Sequence, residues 1–231
     1  MNTYRFLVTG GSQGIGATVV AHARKAGHAV VFTGRDGARI ERVAKSTGAH
    51  GLAADVGRSD DNARTVEVCH ERMGGVDVLI NNAGYAYRAD VGAIDMQAMR
   101  AMFDVNVFGM VDLTNRVVPE MKARSTGDIV NIASTSGMKG GASGTAYGGS
   151  KWAVRGISQS WQAELRPHGI RVVCVCPSEV QTDFGGRTGR NNPNKLFADD
   201  IASTIMAALG MPRRALWPEL AVFATNPWKE D

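Results

Sequence analysis

Short apolar runs alternate along the chain with longer stretches whose apolar residues recur every three or four positions, the two periods that separate strand from helix. Residues 4–8 (YRFLV) read as a buried strand, which the glycines of TGGSQGIG break before helical spacing continues through Ala26. Gly27 and His28 close that helix, and AVVFT at 29–33 is a β-branched run suited to a parallel strand. The alternation then predicts a helix over 36–46, a strand over 50–54, a helix over 59–73 and a strand over 76–80, with connections of ordinary length. Helical spacing covers 95–124, with a break expected at 106–109 and a kink at Pro119, before the strand DIVNIA at 128–133. A helix over 146–165 ends at Pro167, His168 and Gly169, and RVVCVC at 171–176 is the sixth apolar strand. The polar stretch 182–195 is expected to be a mobile connection to a helix over 198–209. A short strand around 215–222, interrupted by Pro218, belongs on a sheet edge.

Alternating βα units with apolar strands imply an α/β fold, a Rossmann-type doubly wound parallel sheet of about seven strands with helices on both faces. No internal repeat or linker interrupts the pattern, so residues 1–231 are expected to form one domain. Ligands of such sheets bind at the C-terminal ends of the strands. The unusual residues cluster there: TGGSQGIG after strand one, Gly34 and Arg35 after strand two, Asp55 and Val56 after three, Asn81 to Gly84 after four, Ser134 after five, and Pro177 to Thr182 after six.

Composition narrows the partners. With 26 basic and 22 acidic residues the net charge is +4, a mild excess rather than a nucleic-acid footprint. Three cysteines (Cys69, Cys174, Cys176) are too few for a disulfide framework, and the CxC pair lacks a second metal-ligand pair, so they read as core thiols of a reducing compartment with no metal expected. The N-terminus runs straight into a strand without an apolar signal core, and no segment approaches the ~20 apolar residues of a membrane span; a cytoplasmic protein without a membrane partner is expected.

Two groups of residues carry chemistry. In Gly10-Gly11-Ser12-Gln13-Gly14-Ile15-Gly16 the glycines permit a tight turn and let backbone approach a pyrophosphate at a helix N-terminus. Tyr147 and Lys151, four apart, share one face of a helix. A phenol of pKa about 10 is a poor proton carrier at neutral pH, and a neighbouring ammonium is expected to lower that value. Ser134 can hydrogen-bond the oxygen that the phenol protonates. Where strand two ends, an acid would accept the 2′-hydroxyl of NAD, but Gly34 and Arg35 stand there; Arg35 can pair a 2′-phosphate, which favours NADP(H) over NAD(H). The competing reading leaves Arg35 solvated and Asp36 on the ribose.

Together TGGSQGIG, Asp55-Val56, NNAG, Asn106, Ser134, YxxxK and a Pro-x-x-x-x-Thr segment resemble the short-chain dehydrogenase/reductase family of NAD(P)-dependent oxidoreductases over most of the chain. The resemblance implies that Tyr147 is the general acid/base, that Lys151 tunes it and holds the nicotinamide ribose, that Ser134 positions the carbonyl oxygen, and that Asn106 anchors a water-linked proton path. It also implies that Asp55 and Val56 bracket the adenine, that Asn82, Ala83 and Gly84 lie beneath the adenine ribose, and that Pro177, Val180 and Thr182 face the carboxamide and phosphates. Read as local structure, Asp55 caps the approach to a helix and Asn106 is a helix-break amide.

The sequence departs from the family pattern in three places. Pro177 is followed by Ser178 and Glu179 rather than glycine, which sets a carboxylate near the nicotinamide end; Gln13 stands where NADP-preferring members often carry a basic residue; and the chain ends in FATNPWKED. The expected reaction interconverts a ketone or aldehyde and an alcohol, as a ketoreductase does. An alternative, 3-oxoacyl-(acyl-carrier-protein) reduction, needs a basic docking patch at the site's mouth, for which Lys122, Arg124, Arg166 and Arg171 are candidates diluted by Asp128 and His168. A non-enzymatic alternative is a dinucleotide-binding regulatory protein. Pocket walls are expected from Tyr85, Tyr87 and Arg88, from 138–145 and from 183–196, with a pocket role for Tyr85, solvated charges at Arg187 and Arg190, and Lys195 open to either reading. Met96, Met99 and Met102 read as core or interface. Trp152, Val154, Ile157 and Trp161 give one helix more apolar bulk than its sheet-facing side needs, so it is expected to pack on a partner helix in a homodimer or homotetramer.

Overall fold

The computed structural model describes residues 3–184 and 192–228. Six βα-type strands, β1 (Arg5–Val8), β2 (Ala29–Gly34), β3 (His50–Ala53), β4 (Val78–Asn81), β5 (Gly127–Ile132) and β6 (Ile170–Pro177), are joined at one edge by β9 (Glu219–Val222). Their order is β3-β2-β1-β4-β5-β6-β9, and all six pairings are parallel. Every residue of β4, β5 and β6 is buried because helices cover both faces, which is why these strands are runs of Val, Ile and Leu rather than alternating patterns.

One layer holds α1 (Gly14–Lys25), α2 (Gly37–Thr47) and α7 (Ala198–Gly210); the other holds α3 (Ser59–Met73), α4 (Met96–Phe103), α5 (Met110–Ala123) and α6 (Thr145–Leu165). Phe6, Phe32, Ile80 and Ile205 centre the first core, and Leu7, Leu79, Leu113 and Ile129 the second. The chain order reverses between β1 and β4, and the crevice opens there above the strand ends. No helix of the described residues is long and apolar enough to cross a membrane.

Four sequence expectations are adjusted. β4 starts at Val78: the Val76 amide leaves the ladder to donate to Glu120 Oε1 (2.7 Å), and Asp77, whose backbone still bonds Arg5 and Asp128 (2.9 Å each), turns its carboxylate to the Arg5 guanidinium. No break occurs at 106–109: a π-helical segment, Asp104–Gly109, carries α4 directly into α5, which continues through Pro119. The described flanks of the 182–195 connection are pinned by two short parallel strands, β7 (Val180–Gln181) and β8 (Leu196–Phe197), and by the Gln181 amide, which exchanges two 2.6 Å hydrogen bonds with the Asn192 backbone. Arg187 and Arg190 lie outside the described residues. On α6, Val154 is buried while Ile157 and Trp161 pack against the core, so of the four large apolar residues only Trp152 faces outward.

Candidate active site

The site is built on the glycine turn between β1 and α1. Gly10 sits at φ +63°, a conformation that side chains strain to adopt, and a Cβ on Gly16 would lie 2.4 Å from both the Gly10 carbonyl oxygen and Asn82 Nδ2. Asn82 locks the turn to the end of β4 by donating to the carbonyls of Thr9 (2.9 Å) and Gly10 (3.1 Å). Gln13, the N-cap of α1, makes no side-chain cap, and the first turn carries no acid, so the leading amides of α1 are open to an anion.

A cavity of about 610 Å³ runs from that turn to the Tyr147 phenol. Gly10, Gln13, Gly14 and Ile15 line one end; Asn82, Ala83 and Gly84 form its floor; Ser134, Tyr147 and Lys151 stand at the other end; and Pro177, Val180 and Thr182 complete the wall. The uncapped turn, the glycine cradle and this length suit a dinucleotide with room for a small substrate. Ser12, Gly16, Arg35, Asp55 and Val56 lie outside the lining. Arg35 is largely exposed, 3.8 Å from Asp55. Asp36 is engaged as the N-cap of α2, accepting from the Arg39 amide (3.0 Å). Asp55 accepts from the Gly57 amide (3.0 Å) in a turn ahead of α3, whose N-cap is Arg58. Val56 is buried in the second core.

Tyr147 and Lys151 occupy the first two turns of α6, both buried. Lys151 Nζ donates to the Ile132 carbonyl (2.8 Å) at the end of β5, which leaves two donors of the ammonium for another ligand. Burial pulls its pKa down to about 8, opposed by the neighbouring Cys174 and Cys176 thiols. The Tyr147 pKa is raised, contrary to the expectation from YxxxK: burial of the phenol outweighs the Ser134 hydrogen bond and the Arg88 charge, both of which lower it. Lys151 Nζ lies 5.9 Å from the Tyr147 ring centroid. Ser134 begins the turn after β5, its Oγ accepting from the Ser136 amide (3.1 Å).

Asn106 sits in the π-helical segment. Its Oδ1 accepts from the Tyr85 amide (3.0 Å), and its Nδ2 donates to the Tyr85 carbonyl (3.0 Å) and to Ser150 Oγ (3.1 Å). The widened turn thereby ties the loop after β4 to α6, directly under Lys151.

Other pocket expectations divide. Tyr85 and Tyr87 pack against Met102, Ala146 and Tyr147 rather than lining the cavity, and the Tyr87 hydroxyl accepts from the Asp95 amide (2.8 Å). Arg88 and Ala86 line it instead. Met102 is buried, Met99 packs beside it and Met96 is exposed. Lys195 is not a solvated charge: its Nζ pairs with Glu179 at 2.9 Å, which accounts for the carboxylate after Pro177. The basic patch does not reach the mouth. Arg171 is buried at the opposite edge of the sheet with Asp128 (2.6 Å), and Arg124 holds Asp77 (3.4 Å) and Glu120 (3.6 Å) on that same edge. All three cysteines are buried and free; Cys174 and Cys176 gather with Glu219, but that carboxylate is gripped by Arg155 at 2.7 and 3.0 Å. Sequence reasoning missed the Ile132 carbonyl that holds Lys151 and the Ser150 hydroxyl that holds Asn106. The first is backbone and carries no residue signature; the second lay in view within YGGSK, next to the lysine.

Comparison with known proteins agrees with this architecture. The short chain dehydrogenase family model matches residues 5–193. An uncharacterised oxidoreductase of Staphylococcus saprophyticus is 36% identical over 222 residues, spanning 94% of this chain and 95% of that protein. A serine dehydrogenase solved in its closed form with NADP+ is 27% identical with a TM-score of 0.87, covering 94% of each chain. A 3-ketoacyl-(acyl-carrier-protein) reductase of Brucella melitensis solved with NADH is 27% identical with a TM-score of 0.88, covering 97% of this chain and 98% of that one. With a matched family model over most of its length and a relative at this identity, the chain belongs to the short-chain dehydrogenase family of oxidoreductases.

Proposed function

We propose that the protein is an NADP(H)-dependent oxidoreductase that interconverts a small ketone or aldehyde and its alcohol, with Tyr147 as general acid/base. The observation that carries this reading is one continuous cavity with an uncapped helix N-terminus at one end and Ser134, Tyr147 and Lys151 at the other. A nicotinamide dinucleotide, when bound, supplies or accepts the hydride. The α1 amides would receive its pyrophosphate, Asn82, Ala83 and Gly84 would hold its adenine ribose, and Pro177, Val180 and Thr182 would hold its carboxamide and phosphates. Arg35 is free to take a 2′-phosphate because Asp36 is committed to capping α2, whereas NAD would find no acid available at the end of β2. Asp55 closes the adenine end beside Arg35.

In the reductive direction, Ser134 holds the carbonyl oxygen and Tyr147 passes its phenolic proton to it. The raised Tyr147 pKa keeps that proton in place at neutral pH. Lys151 uses its two remaining donors on the ribose hydroxyls, and Asn106 fixes the loop and helix between which that lysine sits. The single domain is taken to assemble as a homo-oligomer through exposed aromatics such as Phe108 and Trp152, in a reducing cytoplasm that keeps its thiols free. Reduction on a carrier protein is disfavoured by the basic residues lying at the far edge of the sheet.

Replacing Tyr147 tests the reading. Tyr147→Phe should lower NADPH-dependent ketone reduction by at least ~100-fold while leaving NADPH binding, followed by nicotinamide fluorescence, intact. Full retained turnover would remove Tyr147 from the mechanism. Tight NADPH binding by the unmodified protein without turnover of any carbonyl in a broad panel would favour a regulatory dinucleotide-binding protein.

A further inference from the structure

We propose that Arg88 binds a carboxylate of the substrate, so that the site takes short oxo acids and the hydroxy acids they become; the inference rests on the assignment of Tyr147 as the group that meets the reacting oxygen. Arg88 lies in the loop after β4 and lines the cavity, with its guanidinium carbon 4.9 Å from the centroid of the Tyr147 ring. That contact uses the charge of the guanidinium but none of its five N–H donors. The side chain is exposed, and no hydrogen bond or ion pair to it occurs among the described residues. Of the other described cations near this end of the cavity, Lys195 is held by Glu179, and Lys151 donates to the Ile132 carbonyl and keeps its remaining donors for the cofactor ribose. Of the two acids on the wall, Glu179 is held by Lys195, which leaves Asp183 as the one carboxylate in competition for Arg88.

A planar fork of donors matches a carboxylate bidentately. Because the fork lies over the tyrosine ring, an anion seated on it falls within a few bonds of an oxygen at the phenol. That spacing fits an α- or β-oxo acid and excludes a carboxylate at the end of a long chain. The Phe184 ring, 5.9 Å from the Tyr147 ring, narrows the same end of the cavity and favours a small molecule.

The experiment compares each acid with its neutral methyl ester: acetoacetate with methyl acetoacetate, and 2-oxobutanoate with methyl 2-oxobutanoate, with NADPH oxidation followed for the full chain. At least one acid should exceed its ester in kcat/KM. In Arg88→Gln that acid-to-ester ratio should fall by about 30-fold, the loss of a charge-assisted bidentate contact, mostly through KM, and Arg88→Lys should restore only part of it. Binding of the hydroxy acid product to the NADP+ complex, measured by calorimetry, should weaken in parallel. If no acid exceeds its ester, or if Arg88→Gln leaves the ratio and the product affinity unchanged, the carboxylate proposal is overturned, while ester turnover would leave the oxidoreductase reading standing. If neither acids nor esters nor any other ketone is turned over, the oxidoreductase reading itself fails.

Discussion

Lys151 is a cation held in the protein interior at an energetic cost, and that cost can be measured by removing it. It is 4% exposed, and burial lowers its pKa from 10.5 to about 8. At about 1.4 kcal/mol per pH unit, holding the charged form inside the free protein costs about 3 kcal/mol at neutral pH. The sign follows from proton binding. Between the folded and unfolded values the unfolded chain binds the extra proton, so stability rises with pH across the window from about 8 to 10.5, and the cost is fully present below it. Lys151→Met keeps the length and apolar stem, removes the charge, and gives up the 2.8 Å hydrogen bond to the Ile132 carbonyl, worth about 1 kcal/mol. The cofactor-free variant should therefore be about 2 kcal/mol more stable than the unmodified protein at pH 7, while losing turnover. Urea unfolding of both proteins at matched concentration, at pH 7 and at about pH 9.5, separates this charge effect from simple repacking. The advantage should shrink by about 2 kcal/mol at the higher pH, because there the folded lysine is neutral and no longer buries a charge, while the unfolded one still holds its proton. A gain that is equal at both pH values, or a loss at pH 7, would refute the account of Lys151 as a destabilising charge kept for function.

Two further substitutions test other parts of the molecule. Arg35→Ala should lower the ratio of kcat/KM for NADPH over NADH by about 10- to 100-fold, the value of a charge-assisted contact; an unchanged ratio would remove Arg35 from the cofactor assignment. Arg171→Met should cost about 2 kcal/mol in urea unfolding, since it removes one of the two arginines on the buried Asp128, Arg213 keeping the other at 2.7 Å, and strips the Leu209 and Met211 carbonyls at the end of α7 of their donor (2.9 Å each), yet its turnover should match the unmodified protein because it lies at the edge away from the cavity. Lost activity in a folded Arg171→Met protein would show that this edge takes part in the reaction.

The fold and the outline of the site were legible because each depends on local chemistry that is periodic or short in range. Runs such as LIN and IRVVCVC can only be strands covered on both faces, and TGGSQGIG can only be a tight turn against a helix, so the order of elements and the edge on which the motifs gather follow from the chain. What the sequence did not disclose depends on three-dimensional competition between opposing effects. YxxxK correctly puts a tyrosine and a lysine on one face, but the expectation of a lowered phenol pKa counted the ammonium and left out burial, which is the larger effect on both groups. Tyr85 has the composition of a pocket residue, yet Asn106 clamps its backbone and its ring packs with the Met102, Ala146 and Tyr147 cluster, leaving Arg88 three positions on to face the cavity. Lys195 and Glu179, sixteen residues apart, meet only because β7 and β8 pair across the intervening segment. In each case the residue type was visible and its partner was not. The pairing that decides whether a charge is spent or available is a property of the fold, and Arg88 stands out only once Lys195 has been matched to Glu179 and Lys151 to the Ile132 carbonyl.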